Sequence, residues 1–176
     1  MAQEAGRADK RGQGLGVLGL FFLLPCLLAG CAATTSVVRQ PPEIGADLRC
    51  PVCGGHPGEQ SRWQCQILMG DGRQIGFDSG KDMFSYLLLM SRYNYAKNQG
   101  VGKGLAAVWV RDYLSGSWLD GQTAWYVAGS QVRSPAGREI IPFSDRLGAE
   151  NFSQVNGGGV VAYASVDSAL LKELRE

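Results

Sequence analysis

Hydrophobic and polar positions change their spacing several times along the chain, and each change predicts a different element. Residues 65–69 form a short apolar run, the turn signal Gly70-Asp71-Gly72 follows, and residues 74–77 resume an extended pattern. This order predicts a β-hairpin.

A helix is predicted directly after the hairpin. Ser79 with Asp82 three residues later is typical of a capping box. Helical spacing then holds for the apolar residues Met83, Phe84, Leu87, Leu88 and Met90. A glycine-rich loop is predicted at 98–104. Residues 105–110 are almost wholly apolar, which predicts a strand buried on both faces.

The same order of elements returns in the second half of the chain. The predicted elements are a strand at 124–128, a turn at 134–137, a strand at 139–143, a helix containing Leu147, Ala149 and Phe152, a glycine stop at 157–159, and a strand at 160–163. A short amphipathic helix is predicted at 167–176. The sequence therefore predicts an α+β fold of two tandem ββαβ units, with antiparallel hairpins packed against helices.

The first thirty residues have the pattern of an exported lipoprotein. A basic region precedes an apolar run at 15–28, and two small residues precede Cys31. The run is shorter than the ~20 residues that a permanent transmembrane helix needs. We therefore predict a signal peptide at 1–30 and lipid modification of Cys31.

The predicted lipid sets the expected location of the protein. Residues 31–46 show no apolar periodicity, which predicts a flexible tether between the lipid and a folded domain at 47–176. Several acyl chains on Cys31 would hold the protein to a membrane. Ala32 stands where an inner-membrane retention signal would have Asp, which favours the outer membrane with the domain facing the periplasm.

The charge of the domain argues against a nucleic-acid partner. The chain has 17 basic and 16 acidic residues, of which 1–30 hold three and two, so the remainder has fourteen of each. A neutral domain lacks the basic surface that nucleic-acid binding needs. With a single histidine, the chain also offers no catalytic triad, and it has no phosphate-binding glycine motif. We expect a protein that is not an enzyme.

The candidate chemistry lies in a cysteine-rich loop. Cys50 and Cys53 form a Cys-x-x-Cys motif, and His56, the only histidine, follows three residues later. Thiolates and an imidazole suit Cu(I) and Zn(II). We predict a metal site of Cys53, Cys50 and His56 that binds Cu(I).

Three alternatives to a copper site stay open at this stage. A redox centre is disfavoured, because glycines and a proline after Cys53 prevent a helix from starting there. A structural zinc site could use Cys50, Cys53, His56 and Cys65. A disulfide could join Cys53 to either Cys50 or Cys65. Three methionines, Met69, Met83 and Met90, are expected to be core residues.

The domain resembles the NosL family over about 50–166. The stretches that carry the resemblance are Cys50-Pro51-Val52-Cys53-Gly54, Asp71-Gly72, Phe77-Asp78, Asp82-Met83-Phe84 with Tyr86, 110–118 with Asp120, 124–130, Ala149-Glu150 with Phe152, and Gly157-Gly158. The fold of that family is similar to the predicted pair of ββαβ units.

The resemblance implies a function in copper delivery. NosL proteins are lipoproteins that accompany nitrous-oxide reductase in denitrification. The resemblance therefore implies a metallochaperone whose partner is nitrous-oxide reductase or another periplasmic cuproprotein. The family's Cys-Gly-Met motif places its cysteine on Cys53, but Gly55 stands at the position of its methionine. A second family methionine falls on Ala136. Both thioether ligands are absent, so either this member binds copper through Cys50, Cys53 and His56 instead, or it has the fold of the family and a different cargo.

Overall fold

The structure is a computed structural model that describes residues 40–60, 62–92 and 104–175. The predicted signal peptide at 1–30, the lipidated Cys31, most of the predicted tether and residues 98–103 of the predicted loop lie outside the described residues. In the described part of the chain, no helix is both long and apolar enough to span a membrane.

The first half of the fold is a hairpin, a helix and two further strands. They are β1 (Cys65–Met69), β2 (Gln74–Phe77), α1 (Gly80–Arg92), β3 (Leu105–Arg111) and β4 (Trp118–Asp120). The strands form an antiparallel sheet in the order β2-β1-β3-β4. The three-residue strand β4 was not predicted, since it is too short to show a periodicity.

The second half repeats this arrangement. Its elements are β5 (Trp125–Ser134), β6 (Gly137–Phe143), α2 (Arg146–Asn156) and β7 (Gly159–Ala162), and its antiparallel sheet has the order β6-β5-β7. In both halves the strand after the helix pairs with the first strand of the hairpin. The predicted α+β fold of two ββαβ units is therefore confirmed.

The C-terminal segment differs slightly from its prediction. Tyr163 begins a short 3-10 helix, Tyr163–Ser165, instead of ending β7. The last helix, α3, spans Ser168–Glu173, and the Asp167 carboxylate caps it by accepting from the Leu170 amide at 2.9 Å.

One core joins the two halves. Helix α1 contributes Met83 and Phe84, and Phe84 meets Tyr126 of β5 edge-on with ring centroids 5.1 Å apart. Met69 and Met83 are buried, which confirms their assignment to the core. The side chain of Met90 lies outside the described part.

Strand β3 corrects the prediction of a strand buried on both faces. Val108 and Val110 are buried, whereas Leu105 and Ala106 are exposed and the residues that alternate with the valines, Ala107 and Trp109, are half-buried. Strands β5 and β6, like β1, are buried on both faces. There Tyr126 faces the core under α1 while its neighbour Val127 faces a second cluster under α2.

The structure also shortens the predicted tether at its C-terminal end. Gln66, whose side chain is buried, donates to the Pro42 carbonyl at 3.1 Å, and Gln74 donates to the Pro42 and Glu43 carbonyls, each at 3.2 Å. Pro41 is buried. Apolar periodicity does not detect such a segment, because its backbone carbonyls hold it to the sheet.

Candidate metal centre

A closed loop carries the two cysteines of the motif. The Cys50 amide donates to the Gly55 carbonyl, and the Gly54 amide donates to the Cys50 carbonyl, both at 2.9 Å. Gly54 has φ of +79°, a left-handed conformation that glycine adopts without strain. The loop therefore turns back on itself and directs both thiols to the same side.

The start of helix α1 supplies the other side of the site. Ser79 caps the helix, since its Oγ accepts from the Asp82 amide at 3.2 Å, which confirms the predicted cap. Asp78 precedes the cap and Asp82 lies four residues after Asp78, so both carboxylates are on one face of the helix start.

The second half of the fold fixes the start of this helix. The buried Glu139 of β6 accepts from the Ser79 hydroxyl at 2.6 Å and from the Lys81 amide at 3.2 Å. A Cβ atom on Gly80 would overlap the Ile140 carbonyl oxygen, so only glycine permits this approach. The position of Asp78 and Asp82 thus depends on a strand about sixty residues away in the sequence.

Four potential ligands converge where the loop meets the helix. One ligand atom from each of Cys50, Cys53, Asp78 and Asp82 lies within 4.8 Å of the other three. The Cys53 thiol donates to the Asp78 carboxylate at 3.2 Å, and the Cys50 thiol donates to Asp82 at 3.7 Å. Cys50 and Asp82 are buried, whereas Cys53 is exposed. The group can bind a metal ion, with Cys53 on its solvent side.

The electrostatics of this group favour a bound cation. Burial raises the pKa of the Cys53 thiol far above its usual 9.0, and the hydrogen bond to Asp78 raises it further. Burial likewise raises the pKa of Cys50. Within the described residues, no lysine or arginine forms an ion pair with Asp78 or Asp82. The thiols therefore keep their protons at neutral pH until a cation compensates the negative charge.

Gly55 lets the Asp78 carboxylate approach the loop. A Cβ atom at position 55 would overlap Asp78 Oδ2 and lie 3.3 Å from Cys53 Sγ. The Gly55 amide also donates to Cys53 Sγ at 3.4 Å. Any side chain at position 55 would therefore displace the carboxylate that contacts the more exposed thiol.

The remaining predicted ligands are not part of the four-residue group. His56 is half-buried and precedes the short 3-10 helix Pro57–Glu59. Cys65 is fully buried in β1, where its thiol donates to the Trp63 carbonyl at 3.6 Å. The Cys₃His set considered for zinc is thus not assembled, and Cys50, Cys53 and Cys65 are free thiols.

Asp78 and Asp82 are the site residues that sequence reasoning missed. Asp82 was interpreted as part of the capping box, and both aspartates lie in stretches that carry the NosL resemblance, but neither was predicted as a ligand, although Ser79 alone accepts the helix amide. The available signal was the spacing of four residues between two acidic side chains around a helix start. Their proximity to the cysteine loop had no signal, because about 25 residues separate them along the chain.

Comparison with known proteins identifies the family. A family model described as NosL matches residues 41–171, about three quarters of the chain. The chain belongs to the NosL family. The resemblance given by the motifs is thereby confirmed.

NosL proteins of known description are similar to this chain over most of its length. A copper-binding lipoprotein NosL from Stutzerimonas stutzeri is 26% identical over 171 residues, covering 91% of this chain and 84% of the relative. That relative is described by copper binding and the crystal structure below by copper chaperoning, not by catalysis, in agreement with the prediction that the chain is not an enzyme.

A solved NosL structure shares the fold. The crystal structure of the copper chaperone NosL from Shewanella denitrificans has a TM-score of 0.58 at 23% identity, covering 74% of this chain and 97% of that one. A solution structure of apo-NosL from Achromobacter cycloclastes has a TM-score of 0.38 at 23% identity, covering 61% and 87%.

Proposed function

We propose that this protein is a metallochaperone of the cell envelope that binds Cu(I) between the cysteine loop and the start of α1 and delivers it to a cuproprotein. The observation that carries the proposal is the convergence of Cys50, Cys53, Asp78 and Asp82 within 4.8 Å. Copper binding by NosL relatives supports it.

The two thiols are the Cu(I) ligands in this proposal. Cu(I) prefers soft sulfur ligands and needs only two or three of them. Cys50 is buried and holds its side of the ion, whereas Cys53 is exposed and is the ligand that an acceptor protein reaches first. A site with one exposed thiolate allows transfer by stepwise ligand exchange.

A copper titration of the protein from residue 32 onward tests this proposal. That polypeptide contains the whole compact unit 38–176. Under reducing conditions we expect the protein to bind one Cu(I) per chain. Competition with a chelator of known affinity measures how tightly it binds. A protein that binds no copper, or whose Cys50→Ser/Cys53→Ser variant binds as tightly as wild type, would contradict the proposal.

The two carboxylates favour Zn(II) as a second candidate cargo. Zn(II) accepts oxygen as well as sulfur ligands and is usually four-coordinate, so it could use all four side chains. The double variant Asp78→Asn/Asp82→Asn separates the candidates, since it should abolish zinc binding and leave most of the affinity for Cu(I). The exposed pair Asp47→Asn/Glu59→Gln is the matched control for the change in charge.

His56 remains a proposed additional ligand. It lies three residues after Cys53 in the loop, although outside the group of four. If the imidazole binds copper, His56→Ala lowers Cu(I) affinity near pH 7.5 relative to wild type. Equal affinities of wild type and His56→Ala would remove His56 from the site.

The anchoring, location and partner complete the proposal. We propose a signal peptide at 1–30, a lipid on Cys31, and a location at the outer membrane facing the periplasm, with nitrous-oxide reductase as the acceptor. The NosL relative is itself described as a lipoprotein. Cys31→Ser should give no mature lipoprotein in the membrane fraction. A variant that stays in the membrane fraction after signal-peptide cleavage would contradict the anchor.

A further inference from the structure

A second candidate binding site lies at the tip of the β5–β6 hairpin, beside the first turn of α1. It is a hollow of about 240 Å³, lined by Lys81, Arg133, Arg138, Arg175, Ala136, Gly137 and Leu174. Four of these side chains are basic and none is acidic. Residues 31–176 hold fourteen basic and fourteen acidic residues, so four basic side chains without an acidic one concentrate positive charge at this hollow.

Two of the arginines are placed against each other. Arg133 and Arg138 are direct partners across β5 and β6, and both are exposed. Like charges at directly opposed positions destabilise a sheet. Among the described residues, no carboxylate forms an ion pair with either arginine. The protein therefore carries an uncompensated pair of positive charges here.

The neighbouring carboxylate does not compensate them. Glu139 is fully buried, and its two oxygens accept from the Ser79 and Ser134 hydroxyls and from the Lys81 and Ile140 amides. Its hydrogen bonds lie on the core side of the strand. Glu139 attracts the Lys81 ammonium, so the positive charge left for a group that comes from outside is that of the arginines.

Lys81 is already held in position. Its Nζ donates to the Ala136 carbonyl at 2.7 Å, which fixes the ammonium at the hairpin turn. An ammonium keeps further donors after this bond. The buried Leu174 forms an apolar part of the wall. A partly desolvated wall strengthens the attraction between the cations and an anion.

We propose that this hollow binds a phosphate group. Arginine guanidinium groups match phosphate oxygens through paired hydrogen bonds, and Lys81 adds a fixed point charge. The phosphate can come from a free phosphate ion or from a phospholipid headgroup of the membrane. The site is separate from the cysteine loop, so the proposal does not depend on metal binding.

Titration with inorganic phosphate tests the proposal. We expect phosphate to bind saturably to the protein from residue 32 onward. The NMR shifts of the 133–138 amides measure this binding, and sodium chloride at equal ionic strength is the salt control. Arg133→Gln/Arg138→Gln should weaken binding about tenfold or more. Arg73→Gln/Arg146→Gln is the matched control, since these arginines already pair with Asp71 and Glu150. Equal weakening in both double variants would overturn the proposal.

Thermal unfolding gives an independent measurement. At low ionic strength without phosphate, Arg138→Gln should raise the melting temperature because it removes the opposed charges. Phosphate should then stabilise wild type but not Arg138→Gln. A response to phosphate that is identical in wild type and Arg138→Gln would overturn the proposal.

Vesicle sedimentation distinguishes the two sources of phosphate. Binding to phosphatidylglycerol vesicles that is lost in Arg133→Gln/Arg138→Gln supports a headgroup as the ligand. Binding of inorganic phosphate without vesicle binding supports the free ion. Neither form of binding, under conditions where the protein is folded, would overturn the proposal.

Discussion

The two halves of the molecule have the same topology but differ at the start of their helices. In the first half Phe77, Asp78 and Ser79 lead into α1, and in the second half Phe143, Ser144 and Asp145 lead into α2. Both phenylalanines are fully buried. Both caps accept an amide three residues on, at 3.2 Å for Ser79 and 2.8 Å for Asp145.

The two helix starts differ in the residues directly before the capping residue and three positions after it. The first half has carboxylates at Asp78 and Asp82, whereas the corresponding positions of the second half are Ser144 and Gly148. The first half also has the cysteine loop before its hairpin, and the second half has only a short turn at 121–124. Within the described residues, the two copies of the scaffold thus differ in that only the first has the candidate metal site, and its Asp78 and Asp82 carboxylates are not needed for the helix cap.

The largest expected effect comes from removing a ligand of the first half. Cys53→Ser should lower Cu(I) affinity by more than the ~100-fold that loss of an outer-shell partner costs, since one of only two thiolates is lost. A competition titration measures this. Cys65→Ser is the control, because this thiol lies outside the group of four. If Cys53→Ser and Cys65→Ser lowered Cu(I) affinity equally, the assignment of Cys53 as a ligand and Cys65 as a residue outside the site would be contradicted.

The pH dependence of metal affinity is the second prediction. Because burial raises the pKa of both Cys50 and Cys53 above 9.0, each thiol releases a proton when it binds the metal. Affinity should therefore rise with pH, by about tenfold per pH unit for each thiolate formed. Cys53→Ser should halve the slope of log affinity against pH between pH 6 and 8. An unchanged slope would show that Cys53 does not bind as a thiolate.

The third prediction concerns the contact between the halves. Glu139→Ala should lower the free energy of unfolding by about 3 kcal/mol, since it leaves buried donors of Ser79, Ser134 and Lys81 without an acceptor. It should also weaken metal binding, because the start of α1 loses its support. Glu173→Ala, at an exposed position of α3, is the control and should change stability by less than about 0.5 kcal/mol.

Glu139 also gives stability a pH dependence of known sign. Burial raises its pKa from the usual 4.5, so the folded state holds the proton more tightly than the unfolded state. The free energy of unfolding therefore falls as pH rises from about 4.5 to the raised pKa and is constant above it. In urea unfolding, the difference between wild type and Glu139→Gln should follow this course. A pH-independent difference would contradict it.

The smallest effect is expected from adding carboxylates to the second half. Ser144→Asp/Gly148→Asp reproduces the acidic pair of α1 at the start of α2, but no thiol lies near it. We expect no second metal equivalent, and an added carboxylate in the first helical turn stabilises the helix by about 0.3–1 kcal/mol. A second tightly bound metal ion would show that carboxylates alone make the site.

The repeated hairpins and helices could be predicted because their signals are local. The Gly70-Asp71-Gly72 turn, the Ser79 cap and the helical spacing up to Leu88 involve residues within a few positions of each other. The Cys50–Cys53 spacing likewise places two thiols together without any tertiary information, and the family motifs are spread along the sequence itself. These features determine the fold class, the family and half of the candidate site.

Tertiary packing decided the rest. Which strand is buried on both faces depends on how the helices and the two sheets pack, and for that reason the prediction that β3 is buried on both faces was wrong. The partners of Cys50 and Cys53 are Asp78 and Asp82 because Glu139 of the second half fixes the start of α1 against the cysteine loop. Contacts between residues far apart in the chain leave no periodicity in either segment, so the sequence determined which ligands exist and the fold determined which of them meet.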